Sequence, residues 1–471
     1  MSRSVQMNNK DLLIGTVVYA IGNIGTKILS FLIVPLYTYY ISTYDMGRYD
    51  LLISTVSLIS PLVSLKISDA TYNWMIKKQE ADSLCIKTTY LFLLKSIVFV
   101  TIILTIFNYM CHIEYFVYFL LLIILDSLLE TTQKILRGFK NQKLFAFSGV
   151  FYTVILLLSN FISIVILKKG IESLMVNTIF SQFLTIIMIF IFEKRFWCGF
   201  YNTSKSNRKL LERKFLSFSI PLVPSSLSWW IMSVSDRYVI KIFLGNSANG
   251  IYAIATKFPS ILQTFFVLFN NAWTDMALAN LTTTKESTKY ASDLFEKMYK
   301  IAFCLVLVLI PMTKVFTQII LNDNYKIGSI YIGYLYLGSL FQGFSSFVSI
   351  GYLQSKKTSR AATSSFVGAI FNLFINLILV KYIGLFAASI STFIGFFMMW
   401  LVRMYDIRKD WPILINLKKF MFLFLFNCIM ATVTIWTGYK VDIILIIIFS
   451  CFFLLVNLKE IKFLLKKIVR K

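Results

Sequence analysis

Long apolar runs separated by short polar segments fill most of the chain. Their approximate limits are 12–37, 50–68, 84–107, 115–133, 144–167, 173–192, 216–240, 251–272, 301–321, 328–350, 361–380, 383–402, 417–437 and 441–458. Each is close to the roughly 20 residues that an α-helix needs to cross a bilayer. The alternating segments of roughly ten residues that mark a membrane barrel are missing. The pattern therefore predicts an all-α polytopic membrane protein with about 14 transmembrane helices. The longest polar stretches, Glu193 to Lys214 and Trp273 to Lys300, suit a loop with an amphipathic helix but cannot bury a core of their own. The first run is too long for a cleaved signal peptide and lacks a small-residue cleavage site, so it reads as an uncleaved span.

Composition narrows the class. Apolar residues make up 58% of the 471, aromatics 17% and charged residues only 15%. Mean hydropathy is +0.74. Soluble domains carry nearer one quarter charged residues, which excludes an ordinary cytosolic enzyme. The net charge of +25, from 47 Lys+Arg against 22 Asp+Glu, at first suggests a polyanionic partner. Placing the charges along the chain changes that reading. With the N-terminus in the cytoplasm, 34 of the 47 basic residues fall in cytoplasmic segments, six in outer loops and seven inside spans. The positive-inside rule then puts both termini in the cytoplasm and makes most of the excess topological. No nucleic-acid partner is expected. The six cysteines are scattered and the single histidine, His112, lies in a short loop, so neither a metal centre nor His-based catalysis has the residues it needs. No ATP-binding motif occurs, and no cofactor is expected.

An internal echo suggests two halves. Gly47-Arg48-Tyr49 opens the second span and Gly250-Ile251-Tyr252 opens the eighth, at an offset of 203 residues. Gly384-Leu385-Phe386 is a weaker third copy. Six spans separate the first two copies, as in a transporter built from two parallel six-helix repeats. The corresponding domains are 1–200 and 201–410, with 411–471 adding two helices and a basic tail.

Charges inside a membrane are costly, so each marks a candidate site. Lys66, Glu130 and Lys314 lie near span ends, where snorkelling explains them. Asp126 lies deeper, with Lys95 as a candidate partner. Lys27, Arg237, Lys241 and Lys257 lie within the first, seventh and eighth spans. Arg237 and Lys241 share a helix face, and Asp236 offsets one charge. Such a cluster predicts a watered cavity that binds an anion. Pro221 and Pro224 predict a bent seventh span. Trp229 and Trp230 are candidates to stack on sugar rings. Asn270 and Asn271 are candidates to bond hydroxyls, and Gln342, Asn372 and Asn376 add further polar groups in spans.

The segments Ile220-Pro-Leu-Val-Pro-Ser-Ser-Leu-Ser-Trp-Trp-Ile, Ser235-Asp-Arg-Tyr-Val-Ile-Lys-Ile-Phe-Leu-Gly and Asn249-Gly-Ile-Tyr-Ala-Ile-Ala-Thr-Lys-Phe-Pro259 resemble the bacterial polysaccharide flippases of the Wzx type. Gly25-Thr-Lys-Ile, Pro35-Leu-Tyr-Thr and Gly47-Arg-Tyr-Asp resemble the first helix pair of the same family. The resemblance implies a fold similar to the multidrug (MATE-like) and oligosaccharidyl-lipid exporters, with two six-helix lobes around a central cavity and two extra C-terminal helices. It implies an undecaprenyl-diphosphate-linked oligosaccharide, an O-antigen or capsule repeat unit, as cargo across the bacterial inner membrane. Lys27, Arg237, Lys241 and Lys257 would hold the diphosphate. Asp126 and Asp236 are candidates for coupling to H+ or Na+. A polysaccharide polymerase and a chain-length regulator are the expected partners. The rival readings are a peptidoglycan-precursor flippase, a multidrug cation antiporter, whose cavity should be acidic, and a membrane enzyme, for which the short outer loops hold few carboxylates.

Overall fold

The computed structural model describes residues 25–27, 29–200, 205–280, 284–354 and 359–458. Every regular element among them is helical. The chain divides into two compact units, Met1–Trp230 and Ile231–Lys471.

The first unit begins with α1 (29–40). It continues with α2 (Thr43–Ser64), α3 (Ile67–Lys77), α4 (Asp82–Cys111), α5 (Phe116–Gly138), α6 (Gln142–Asn160), α7 (Ile171–Phe192), α8 (Lys205–Ser219) and the start of α9 (Val223–Leu244). The second holds the rest of α9, α10 (Asn246–Ala255), α11 (Lys257–Asn280), α12 (Lys285–Ile320), the short α13 (Asp323–Lys326), α14 (Ile332–Val348) and the short α15 (Ile350–Gln354). It ends with α16 (Ser359–Ile383), α17 (Leu385–Ile407), α18 (Leu417–Trp436) and α19 (Tyr439–Val456).

Among the described residues, nine helices are long and apolar enough to span a membrane, or 12 when each of three bent pairs is one span. At 17 residues, α14 is shorter than a full span. Most of the predicted first span, from residue 12 to 24, lies outside the described residues. One bend, of 44°, falls between Leu222 and Ser226, at the start of α9, where Pro224 removes a backbone donor. The other two were not foreseen. The α2–α3 pair bends by 58° and the α10–α11 pair by 41°. Leu65 and Lys66, at the first of these breaks, both take left-handed backbone angles, φ 42° and 56°. In the polar stretch Trp273 to Lys300, expected to hold a loop with an amphipathic helix, α11 runs to Asn280 and α12 starts at Lys285, so only a short connection separates two long helices. The other polar stretch does contain an amphipathic helix, α8.

The repeated motif sits inside helices rather than in turns. Gly47 and Gly250 are each the fifth residue of their helix, α2 and α10, and both are buried. Tyr49 and Tyr252 follow one half-turn later, also buried. Gly384 differs: it is the N-cap of α17 with φ 57°, a left-handed angle that suits glycine.

Packing explains the aromatic excess. In the second unit Phe303, Phe341, Phe344 and Phe420 meet mainly edge to face, with centroids 5.3–6.4 Å apart. The Trp273 and Phe347 rings stack at 4.5 Å. At the crossing of α16 and α17, a Cβ on Gly395 would meet Asn372 Cβ at 2.8 Å and the Gly368 carbonyl at 3.0 Å. Small residues allow this close helix approach.

Candidate functional site

Asp236 lies on α9, and its carboxylate is 1% exposed. Three neutral side chains from three other helices donate to it. Tyr252 Oη (α10) lies 3.0 Å from Oδ2, Thr392 Oγ1 (α17) 2.5 Å from Oδ2 and Asn376 Nδ2 (α16) 3.0 Å from Oδ1. Asn372 extends the network: its Nδ2 donates to Thr392 Oγ1 at 3.5 Å, and its Oδ1 accepts from Ser235 Oγ at 3.3 Å. Asn376 Oδ1 is buried without a hydrogen-bond partner. The tight Gly368–Gly395 crossing brings α16 and α17 close enough for Asn376 and Thr392 to reach the same carboxylate. Keeping a buried carboxylate charged among neutral donors is costly. Such a nest of carboxylate, hydroxyl and amide oxygens suits a proton or a hard monovalent cation. Among the described residues no group of three or more His, Cys, Asp or Glu side chains could hold a metal ion.

The adjacent Arg237 faces another direction. It is partly exposed, and its Nη1 donates to the Ser233 carbonyl at 3.0 Å. Lys241, one turn further along α9, is exposed. Lys257 is also exposed and begins α11, at the break after α10. Lys27, in the first unit, is exposed as well.

The predicted sugar contacts divide. Trp229 is partly buried and Asn271 exposed. Trp230 Nε1 donates to the Ser54 carbonyl at 3.0 Å and to Ser57 Oγ at 3.1 Å, both on α2. Asn270 is buried and donates to the Gly343 carbonyl at 3.2 Å, tying α11 to α14.

Asp126 departs from expectation. It accepts from Ser60 Oγ at 2.6 Å and Gln182 Nε2 at 3.4 Å, whereas Lys95 pairs with Glu212 at 3.4 Å. The deep Asp126–Lys95 pair is therefore not formed; Ser60 and Gln182 are the neighbours that packing places beside Asp126. Snorkelling does not describe Lys66, Glu130 or Lys314 either. Glu130 accepts from Lys66 at 3.2 Å and Lys134 at 2.8 Å, and Lys134 also reaches Asp69 at 2.7 Å. This network closes over the α2–α3 break. Lys314 is buried. It pairs with Asp442 at 3.3 Å and donates to the Thr434 and Thr437 carbonyls, both at 2.5 Å. These bonds fasten α12 to the connection between α18 and α19.

The sequence reading missed Arg403. It sits in the last turns of α17, is 3% exposed, and donates to the Ser345 carbonyl and to Ser364 and Ser365 Oγ at 2.8–3.0 Å. The paired serines of α16 were the available signal. The corresponding polar centre of the first unit is neutral. Asn160 donates to Tyr37 Oη at 3.1 Å, and Asn177 donates to Asn160 Oδ1 at 2.9 Å, beside a π-helical turn at Phe161–Ile166.

The chain is thus a multi-pass helical protein with a buried carboxylate, Asp236, held by neutral side chains. Its fold is that of known flippases and exporters. The lipid II flippase MurJ in an inward closed conformation superposes with a TM-score of 0.70 at 15% identity, covering 94% of this chain and 100% of that one. An inward-facing multidrug resistance MATE family transporter of the MOP superfamily gives 0.62 at 15% identity, covering 83% and 95%. In sequence, an uncharacterized membrane protein of Methanocaldococcus jannaschii is 23% identical over 374 residues, which cover 74% of this chain and 72% of that protein. The family model "Polysaccharide biosynthesis protein" matches residues 12–274, more than half the chain, and the chain belongs to that family.

Proposed function

We propose that this protein is a flippase that moves an undecaprenyl-diphosphate-linked oligosaccharide, an O-antigen or capsule repeat unit, across the bacterial inner membrane. The family match carries the link to polysaccharide assembly. The fold supports transport rather than catalysis, so no enzymatic step is assigned. Arg237, Lys241 and Lys257 hold the diphosphate, for which accessible cations are chemically suited. Asn271 offers a polar group to the sugar. The side chains of Trp230 and Asn270 already bond within the protein and contribute less.

Alternating access moves the cargo, opening first to the cytoplasm and then outward. Coupling runs through Asp236 rather than Asp126. A proton or Na+ at Asp236 changes how Tyr252, Asn376 and Thr392 are held, and so biases the helices that carry them. An ion does this only if it binds the two states unequally. Both termini lie in the cytoplasm, and the polymerase and chain-length regulator act downstream. A peptidoglycan-precursor flippase is the second reading, supported by the likeness to the lipid II flippase fold.

The test is complementation of a deletion strain with wild type, Arg237→Ala or Arg237→Lys at equal expression. Wild type should restore surface polysaccharide, and Arg237→Ala should cut it by roughly tenfold or more, the usual scale for losing a charge-assisted contact, while lipid-linked repeat units accumulate. Normal export by all three would remove Arg237 from the site. An unaffected polysaccharide in the deletion strain, together with rescue of cells lacking the peptidoglycan-precursor flippase, would favour the second reading.

A further inference from the structure

A cavity of about 820 Å³ opens between α12, α18 and α19 of the second unit. Its lining combines two chemistries. It includes Lys297, Lys300, Lys418 and Lys419, against two acids, Asp293 and Glu296. Glu296 is already engaged by Lys419 at 3.0 Å. It also includes apolar groups, with Phe422 and Phe452 prominent. Tyr299 also lines the cavity. It is 1% exposed, yet its hydroxyl has no hydrogen-bond partner. A buried hydroxyl without a partner is costly, so a ligand atom that accepts from it would be stabilised there.

The cationic and the apolar groups of the lining together define the ligand. A free anion would leave the phenylalanines unused. A neutral lipid would leave the excess of lysines over acids in the lining unused. Lys297 and Lys300 lie more than three turns into α12, just before its long apolar stretch, and Lys418 and Lys419 lie at the start of α18, near the end of α19; the charge distribution assigns this level to the cytoplasmic side. Basic pockets between membrane helices at that level are suited to anionic headgroups. We propose that this cavity binds an anionic glycerophospholipid of the cytoplasmic leaflet, with its phosphate held by Lys297, Lys300, Lys418 and the Tyr299 hydroxyl and an acyl chain along Phe422 and Phe452. The bound lipid bridges α12 to the two C-terminal helices at the cytoplasmic level, as Lys314 and Asp442 join them at the other end. The site shares no residue with the proposed cargo site, so this lipid is a resident ligand rather than cargo.

The full chain, purified in neutral detergent, tests this by native mass spectrometry during titration with phosphatidylglycerol or with phosphatidylcholine of the same acyl chains. Wild type should retain phosphatidylglycerol roughly tenfold better than phosphatidylcholine, the scale expected of two or three lysines near a phosphate. The Lys297→Gln/Lys418→Gln variant should lose that preference, and Lys297→Arg/Lys418→Arg should keep it. Tyr299→Phe should weaken phosphatidylglycerol retention and leave phosphatidylcholine unchanged. Equal retention of the two lipids by wild type, or an undiminished preference in the Gln variant, would overturn the proposal. So would loss of the preference in the Arg variant, or displacement of the lipid by millimolar inorganic phosphate, which would make a free anion the ligand.

Discussion

Lys314 and Asp442 are both buried and bonded to each other, and Thr437 Oγ1 completes the carboxylate at 2.5 Å. Breaking such a pair leaves an uncompensated charge in an apolar interior, at a cost of about 3–5 kcal/mol. Lys314→Met should therefore lower the thermal unfolding midpoint in detergent markedly, and Lys314→Met/Asp442→Asn should recover much of the loss. Equal midpoints for the single variant and wild type would show that the pair contributes nothing. Outside the spans, Glu193 accepts from Arg195 Nε at 2.7 Å, Arg195 Nη2 at 2.6 Å and Asn141 Nδ2 at 2.9 Å. The Arg195 hydrogen bonds, with a further contribution from Asn141, hold its carboxyl below the usual carboxylate range. A lowered folded pKa means that the stabilisation is fully present above the ordinary carboxylate value and is lost as pH falls through the lowered one. The stability advantage of wild type over Glu193→Gln should be constant from pH 8 to about 6 and shrink below about 4.5, where carboxylates begin to protonate. An advantage that grew on acidification would reverse the sign of this argument. Asp236 and Arg237 show what the sequence could reveal here. Their position in a span was legible. That one turns into the bundle and its neighbour does not depends on Thr392 and Asn376, which lie roughly 140–156 residues away in sequence.

Element by element, run length and hydropathy predicted the helical, membrane-spanning class, because a bilayer leaves few alternatives to an apolar helix, whereas nine to 12 spans, rather than the expected 14, are found among the described residues. The bend between α8 and α9 was legible, since Pro224 at the break removes a backbone donor. The breaks at Leu65–Lys66 and at Thr256 also have a proline within one turn, Pro61 before the first and Pro259 after the second, a signal the sequence reading did not use. At the first, Glu130 of α5 pairs with Lys66, while Lys134 of α5 pairs with Glu130 and with Asp69 of α3. The repeated Gly-x-Tyr pattern was visible, but its role was not. Both tyrosine hydroxyls bond to other helices, Tyr49 to Thr178 Oγ1 at 2.8 Å and Tyr252 to Asp236. The α16–α17 crossing gives a prediction at this scale. Gly395→Ala should destabilise by about 1–3 kcal/mol, as overpacking does, even though alanine favours helix by up to about 1 kcal/mol. The variant should also weaken the Thr392 contact one turn away. Gly170→Ala, where a Cβ meets nothing within 4 Å, should be nearly neutral in the same unfolding assay. Matching losses for the two variants would mean that close approach is not what Gly395 provides.

Across the whole molecule, the two halves share helices of similar kind but differ in their polar centres. The first unit's centre around Asn160 and Asn177 is neutral, and its carboxylate, Asp126, is only partly buried and accepts from two side chains, whereas Asp236 of the second unit is fully buried and accepts from three. That difference is why coupling is assigned to the second unit. The class of protein was legible from composition and charge placement, and the family from the motifs around Pro221, Asp236 and Gly250. The cargo was not, because recognition of a sugar depends on cavity shape rather than on residue counts. Depletion in spheroplasts followed by leaflet analysis tests the central claim most directly. A membrane-impermeant reagent that modifies sugars reports the fraction of lipid-linked oligosaccharide exposed on the outer leaflet. The account predicts that this fraction falls at least roughly tenfold on depletion, recovers with wild type, and does not recover with Arg237→Ala or Asp236→Asn at equal expression. An outer-leaflet fraction that is unchanged when the protein is depleted would contradict it.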